Sequence, residues 1–382
     1  ETWRWFGPND PVTLDNVRQA GAGGVVTALH DRQDGRVPWP SDEVRARKAT
    51  IEAAGLAWSV VESIPVPDAI KTGGAGADAA VACFTESLRA VGGAGVGVVC
   101  YNFMPVVDWT RTNLRHAMPS TGLALRFDAV DFAAYDAFIL RREGAEADHA
   151  PDVLEKAEAR AAALTPEARD GLERTIIAGL PGVAGEANDR AAFRRRLALY
   201  DGLDADDLRR NHAAFLNAVV PVAEEAGVRL AVHPDDPPFP LFGLPRVVST
   251  HDDLKRIVDY VPSPANGLTL CVGSLSSSAA NDVVAIADDM APHVHFAHLR
   301  NVRVEPDRSF VESDHLDGRT DMVAVVRRLQ GEERQSGRVI PMRPDHGHLL
   351  GSDIEARTNP GYSFIGRLKG LAELRGVMRA LA

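Results

Sequence analysis

The 382-residue chain has only three cysteines, Cys83, Cys100 and Cys271. Their odd number and the lack of close pairs argue against a disulfide framework and fit a reducing compartment. Uninterrupted apolar runs long enough to span a bilayer are missing. The opening stretch Glu1-Thr-Trp-Arg-Trp-Phe-Gly is polar and aromatic, unlike a secretory signal. The expectation is a cytoplasmic protein with no membrane partner. Basic charge is also in deficit: 42 Lys and Arg stand against 53 Asp and Glu, a formal net charge of −11. Such a surface repels phosphate backbones, so nucleic acid is not an expected partner. Lysine occurs only at Lys48, Lys71, Lys156, Lys255 and Lys369, a bias that GC-rich coding accounts for without strong halophilic adaptation. A glycine-rich phosphate loop after the first strand is lacking too, because Gly21, Gly23 and Gly24 come before a strand. Its absence weighs against an open, dinucleotide-binding sheet.

What remains is an ordinary globular composition, 45% hydrophobic and 25% charged. Short β-like runs alternate with amphipathic helical runs, the pattern of βαβ units and a parallel sheet. Strands are predicted at Trp3–Gly7, Gly24–Leu29, Ala57–Glu62, Val96–Phe103, Val228–His233, Leu268–Val272, Val294–Leu299 and Val339–Arg343. Helices are predicted over Thr13–Ala20, from an N-cap at Ser41 to Gly55, and over Asp78–Val91, Leu208–Gly227, His251–Tyr260, Asp282–Met290, Thr320–Gln330 and Phe364–Ala382. Eight such units favour an α/β (β/α)8 TIM barrel, since closure removes the sheet edges. The stretch from about 104 to 207 interrupts the period. It is expected as a partly helical insertion after strand four, with helices over Ala150–Leu164 and Asp189–Tyr200, inside a single domain spanning 1–382.

In such a barrel the chemistry sits where strands end at the C-terminal face. Strands five to eight end at His233, Cys271, His298 and Asp345, delivering imidazole, thiol, imidazole and carboxylate to one rim. All four suit first-row divalent metals. Taken singly, each has a plainer explanation: a hydrogen-bonded histidine, a small buried hydrophobe, a loop-capping aspartate. Their joint occurrence on successive strand ends favours a catalytic metal site with room for substrate. The thiolate argues against pure magnesium, while Zn, Fe(II), Mn(II) and Co(II) all remain compatible. Cys83 and Cys100 are expected as core residues.

Arg300 and Arg343 lie two residues from His298 and Asp345, so strand alternation points them the same way. A guanidinium fork suits a carboxylate substrate, with a structural ion pair as the alternative. Glu62 and Asn102 end strands three and four and are candidates to touch substrate hydroxyls. His346 follows Asp345 directly and could exchange protons. Tyr362, in Asn-Pro-Gly-Tyr, reads on its own as an aromatic packing residue. His251, His315 and His348 are expected at the surface.

Longer segments carry a resemblance. Arg4-Trp-Phe-Gly-Pro-Asn-Asp-Pro-Val, Trp58-Ser-Val-Val-Glu-Ser, Cys100-Tyr-Asn-Phe-Met-Pro-Val-Val-Asp-Trp-Thr-Arg-Thr, His233-Pro-Asp-Asp-Pro-Pro, Leu270-Cys-Val-Gly-Ser, His298-Leu-Arg-Asn-Val, Met342-Arg-Pro-Asp-His-Gly-His and Gly366-Arg-Leu-Lys-Gly-Leu resemble the mannonate dehydratase family. The resemblance runs from the first residues to the last helix and is weakest from about Val130 to Asp207. It implies a xylose-isomerase-like barrel that dehydrates D-mannonate to 2-keto-3-deoxy-D-gluconate and water in hexuronate (glucuronate) breakdown. It also implies Mn(II) or Fe(II) held by His233, Cys271, His298 and Asp345, acid–base roles for His346 and Tyr362, and a homo-oligomer, dimer or larger.

Rival readings are weighed on the same residues. A sugar isomerase or epimerase on this barrel would typically use carboxylate-rich ligands. A DNA phosphodiesterase sits poorly with the net charge of −11. A non-catalytic structural zinc protein would favour a closed, cysteine-rich site.

Overall fold

The computed structural model describes residues 1–177 and 190–382. Twelve strands lie among them: β1 Thr2–Arg4, β2 Gly24–Thr27, β3 Ala57–Glu62, β4 Val98–Asn102, β5 Asn113–Ala117, β6 Leu123–Phe127, β7 Arg229–His233, β8 Asn266–Cys271, β9 Val294–His298, β10 Val302–Val304, β11 Phe310–Glu312 and β12 Met342–Arg343. Eight of them form one parallel sheet in the order β1-β2-β3-β4-β7-β8-β9-β12. Its two ends meet where the Thr2 hydroxyl donates to the Met342 carbonyl at 2.8 Å, and the sheet curls into the expected, nearly closed (β/α)8 barrel.

The apolar strand runs are explained by burial on both faces. Inside, Val26, Val60, Val98, Cys100, Ala231 and Phe296 pack against one another. Outside, the opposite faces of the strands meet the helices in a larger core that includes Val25, Val61, Val99, Leu230, Leu270 and Ala297. Cys83 and Cys100 are both buried and unpaired.

Helix ends follow local chemistry. Thr250 caps His251–Tyr260 reciprocally with Asp253, and Asp204 caps Ala205–Ala226 in the same way with Asp207. Ser41 departs from expectation. It is the first helical residue, and Pro40 takes the N-cap position without a side-chain hydrogen bond. The last barrel strand is also shorter than predicted. Only Met342 and Arg343 pair with β9, while Val339 is 80% exposed and lies outside the barrel wall.

The insertion after β4 holds the largest difference. The helix predicted over Ala150–Leu164 is present as Pro151–Ala163. The one predicted over Asp189–Tyr200 runs Arg190–Ala198, with Asp189 outside the described residues. The insertion also opens on an antiparallel hairpin, β5 and β6, absent from the sequence reading. The hairpin pairs with β11, and β11 with β10, in a four-stranded sheet ordered β10-β11-β6-β5. Register Phe310↔Phe127 stacks those two rings with centroids 5.5 Å apart. The segment after β9, predicted as a long loop, is thereby tied to a hairpin roughly 180 residues away in sequence and folded over the C-terminal mouth of the barrel. Among the described residues no helix is long and apolar enough to cross a membrane.

Candidate active site

Strand alternation builds the rim. Residues two positions before it point into the barrel core, so the residues that follow in the same direction line the mouth. Val60 leads to Glu62, Cys100 to Asn102, Ala231 to His233, Thr269 to Cys271 and Phe296 to His298. Thr269 shows the direction directly, its hydroxyl donating to Cys100 Sγ at 3.3 Å inside the barrel. Above this layer lies a cavity of about 1220 Å³. Glu62, Asn102, His233, Arg300, Arg343, Asp345, His346 and Tyr362 all line it.

His233, Cys271 and His298 each present a ligand atom within 4.8 Å of the others. His233 Nδ1 donates to the Pro234 carbonyl at 2.7 Å, which fixes the ring with Nε2 directed toward His298 Nδ1, 3.1 Å away. Asp345 stands slightly apart: Oδ2 is 3.8 Å from Cys271 Sγ and Oδ1 is 4.0 Å from His298 Nδ1. It sits at φ 67°, a conformation uncommon for a non-glycine residue, and two arginines grip its carboxylate there. Arg300 Nε donates at 2.7 Å and Arg343 Nη1 at 2.5 Å.

The electrostatics suit a cation. Burial opposes charge on His233, but the thiol of Cys271 and the carboxylates of Glu62 and Asp345 outweigh it and raise the imidazole to about 9. The field at that ring therefore favours positive charge. Burial, reinforced by Arg343, pushes His298 well below the ordinary imidazole range, so it is a neutral donor. Burial works against ionised Asp345 too, yet Arg343, His346 and Arg300 hold it well below the usual carboxylate range. Two imidazoles, a thiol and an ionised carboxylate, with Glu62 Oε2 buried beside them and 3.7 Å from Arg4 Nη1, fit a divalent metal of borderline softness.

Of the two readings open for Arg300 and Arg343, substrate fork or structural ion pair, the structure shows extensive ion pairing. Arg300 gives Nε to Asp345, Nη1 to Glu312 at 3.0 Å and Nη2 to Asp236 at 2.7 Å. Arg343 reaches Asp345, Glu62 at 3.0 Å and His298 Nε2 at 3.1 Å. Both line the cavity, but most of their hydrogen-bonding capacity goes to protein groups.

His346 and Tyr362 face each other with ring centroids 5.0 Å apart and nearly perpendicular. Tyr362 also packs on Phe6 at 4.7 Å. Burial there outweighs the pull of Arg343 and raises its hydroxyl above the ordinary phenol range. The loop that carries both residues is fixed by close backbone packing. Gly347 N donates to Gly361 O at 2.8 Å, and a Cβ on Gly347 would lie 2.4 Å from Arg367 N. His315 and His348, expected at the surface, are buried and act as braces. His315 Nε2 donates to the Pro344 carbonyl at 2.7 Å and His348 Nε2 to the Glu312 carbonyl at 2.8 Å. Each loses its exposure to a carbonyl of a neighbouring loop that the sequence alone does not bring near. His251 remains outside the core, beside Asp289 at 2.9 Å.

Sequence reasoning missed the layer behind these groups: Trp109, Arg111, Asp236 and Glu312. Arg111, fully buried, bonds Asp236 at 2.8 and 3.2 Å and Glu312 at 2.8 and 3.2 Å. Burial resists the charge on Glu312, but His346, Arg300 and Arg111 lower its carboxyl to about 2. Trp109 sits edge-on to His346 at 6.2 Å and lines the cavity. Arg111 and Asp236 lie inside the segments quoted for the resemblance. Glu312 ends the short run Ser309-Phe-Val-Glu, whose only signal was two apolar residues in a polar stretch.

Comparison with known proteins agrees with this geometry. The model of the D-mannonate dehydratase (UxuA) family matches residues 1–382. The chain is 57% identical to mannonate dehydratase 2 of Agrobacterium fabrum, over 100% of this chain and 97% of that one. It is 55% identical to the mannonate dehydratase of Chromohalobacter salexigens, over 100% and 98%. Among solved structures, the mannonate dehydratase of Streptococcus suis serotype 2 superposes with a TM-score of 0.80 at 33% identity, covering 100% of this chain and 94% of that one. A xylose isomerase domain protein of Planctomyces limnophilus, 12% identical over 100% and 96% with a TM-score of 0.52, shares the fold alone. The chain belongs to the D-mannonate dehydratase family, whose members are hydro-lyases.

Proposed function

We propose that this protein dehydrates D-mannonate to 2-keto-3-deoxy-D-gluconate and water, with Mn(II) or Fe(II) held by His233, Cys271, His298 and Asp345. The observation that carries the reading is the cluster of His233, Cys271 and His298 with Asp345 close beside it, at the floor of a cavity that His233, Asp345 and a facing His346–Tyr362 pair line. The metal would supply Lewis-acid stabilisation of the negative charge that develops when the proton beside the carboxylate leaves.

The chain's own groups do the rest. Dehydration must take the proton from C2 and expel the hydroxyl from C3. Hydroxide leaves poorly unless protonated. A tyrosine raised above the ordinary phenol range keeps its proton at neutral pH, so Tyr362 is assigned as the donor to the departing hydroxyl. His346 takes the C2 proton, and the resulting C2–C3 enol becomes the 2-keto acid when its hydroxyl loses a proton and C3 gains one. Asn102 and Glu62, whose Oε2 makes no hydrogen bond, line the cavity and are positioned for sugar hydroxyls. Arg300 and Arg343 keep Asp345 ionised and in its left-handed conformation, and they add positive potential where the acid's carboxylate arrives.

The test is activity after chelator treatment and return of Mn(II) under reducing conditions, assayed as 2-keto-3-deoxygluconate. The expected result is metal-dependent product, with turnover reduced about 10²–10⁴-fold in Tyr362→Phe and in His346→Asn. Folded, metal-loaded protein that forms no product with Mn(II), Fe(II) or Co(II) would overturn the proposal.

A further inference from the structure

Glu312 is unusual among the acidic residues of the site because both of its oxygens face one imidazole nitrogen. His346 Nδ1 lies 2.9 Å from Oε1 and 3.0 Å from Oε2. A carboxylate only accepts, so Nδ1 must carry a proton. In the neutral ring the lone pair is then on Nε2, at the opposite edge, 3.9 Å from Asp345 Oδ1. The carboxylate is itself immobile: Arg111 reaches Oε1 at 2.8 Å, Arg300 reaches it at 3.0 Å, and His348 ties the Glu312 carbonyl at 2.8 Å. These contacts come from the hairpin insertion, the segment after β9 and the loop after β12. Glu312 reaches the site because β11 pairs with β6, a strand of the insertion.

We propose that Glu312 is a positioning residue for His346, fixing the imidazole as the Nδ1-protonated tautomer with Nε2 free, and that the four-stranded sheet over the barrel mouth serves to deliver it. The inference rests on the acid–base role given to His346 above. It assigns a task to the insertion: the hairpin β5–β6 and the preceding Arg111 hold the carboxylate that orients the ring. An imidazole without such an orienting partner divides its population between two tautomers and several ring angles, and only one combination presents a lone pair to the substrate.

Glu312→Gln tests the idea with little change in volume. With its oxygen turned toward Arg111 and Arg300, the amide places an NH2 where Oε2 was, 3.0 Å from Nδ1 in the parent. The ring then faces a donor and shares one neutral acceptor with two guanidiniums. The expected result is a kcat lower by about ten- to a hundredfold, as for other orienting partners of this kind, with KM for D-mannonate within about twofold. The same change in a His346→Asn background should cost less than about twofold, because the ring it acts through is gone. A kcat near the parent value, or an undiminished loss in the His346→Asn background, would overturn the proposal. A direct reading needs neither catalysis nor the Gln variant: ¹⁵N NMR of histidine-labelled full chain, with the His346 signal assigned by its loss in His346→Asn. At a pH where the ring is neutral, a protonated Nδ1 and bare Nε2 are expected; a protonated Nε2 would overturn the assignment even if every variant folds poorly. Should the parent fail to turn over D-mannonate, the dehydratase reading falls, while the NMR result still decides the role of Glu312.

Discussion

Replacing Arg111 by methionine should expose how much the buried charge network contributes to stability. The guanidinium is wholly buried and gives hydrogen bonds to both Asp236 and Glu312. Methionine retains most of the volume, so the loss is chiefly electrostatic. Breaking a buried pair from one side costs about 3–5 kcal/mol, because the remaining charge is stranded in a medium that solvates it poorly. A second route gives a similar size. Lowering Glu312 from its ordinary 4.5 to about 2 is worth about 3 kcal/mol at about 1.36 kcal/mol per pH unit. Part of that belongs to His346 and Arg300. Asp236, however, is held below the usual carboxylate range with Arg111 foremost among the attractive groups, which restores the difference. A loss of about 3–4 kcal/mol, set against an unfolding entropy of about 2.1 cal/mol/K per residue, lowers Tm by about 4–5 °C in a chain of this length. The sign with pH follows from depressed carboxyls. Their stabilisation is fully present above the unfolded values near about 4 and is lost as pH falls through the folded ones. In Arg111→Met the folded values rise, so the gap between parent and variant should be widest above about pH 5 and narrow from about pH 4 down toward the parent's folded values. Thermal unfolding of both proteins from about pH 8 to about pH 2 measures this. A Tm within about 1 °C of the parent at pH 7.5, or a gap that stays constant with pH, would refute the reasoning.

Three further outcomes are expected. Cys271→Ser replaces a soft thiolate with a hydroxyl that stays protonated, so affinity for Mn(II) should fall at least about tenfold by calorimetry while the melting curve of the metal-stripped protein barely moves; unchanged affinity would remove the cysteine from the ligand set. Gly347→Ala would bring a Cβ to 2.4 Å from Arg367 N and Gly366 C. Because both are backbone atoms, the loop bearing His346 and Tyr362 must shift, and kcat should drop by about 10²-fold, the scale associated with a misplacement of about 1 Å; near-normal kcat would mean the loop tolerates the shift. Phe296→Ala empties a buried position inside the barrel beneath His298, whose ring centroid is 4.5 Å away, and should cost about 3–5 kcal/mol in denaturant unfolding.

The parts of this molecule that could be read from its sequence share one property: they depend on local pattern alone. A strand buried on both faces tends to be apolar along its length, as β4 is over Val98–Tyr101, so its existence shows without knowledge of its neighbours. Once a strand is placed, alternation fixes which residue reaches the rim, and His233, Cys271 and His298 follow from counting by two. Edges were harder. The run before Met342 is apolar enough to suggest a strand, yet Val339 is exposed and only Met342 and Arg343 pair with β9, which no propensity records. Histidines were harder again. His315 and His348 look like polar loop residues, and become buried braces only because particular carbonyls lie across from them.

The small sheet over the barrel mouth marks where local pattern stops being informative. β5 alternates exposed and half-buried residues, and β10 and β11 are three residues each. Strands so short are held by their partners, and here the partner is a hairpin far away in sequence. Glu312 inherits that difficulty: its place beside His346 requires β11 to find β6, Arg111 to bond Asp236, and Arg300 to reach Asp345, Glu312 and Asp236 at once. The same geometry explains why the sequence left Arg300 open between a substrate fork and a structural ion pair. Strand alternation correctly put it at the mouth; what alternation could not supply was the number of protein carboxylates waiting there. The rim residues were legible because the barrel positions them singly, whereas those packed behind them depend on several long-range contacts forming at once.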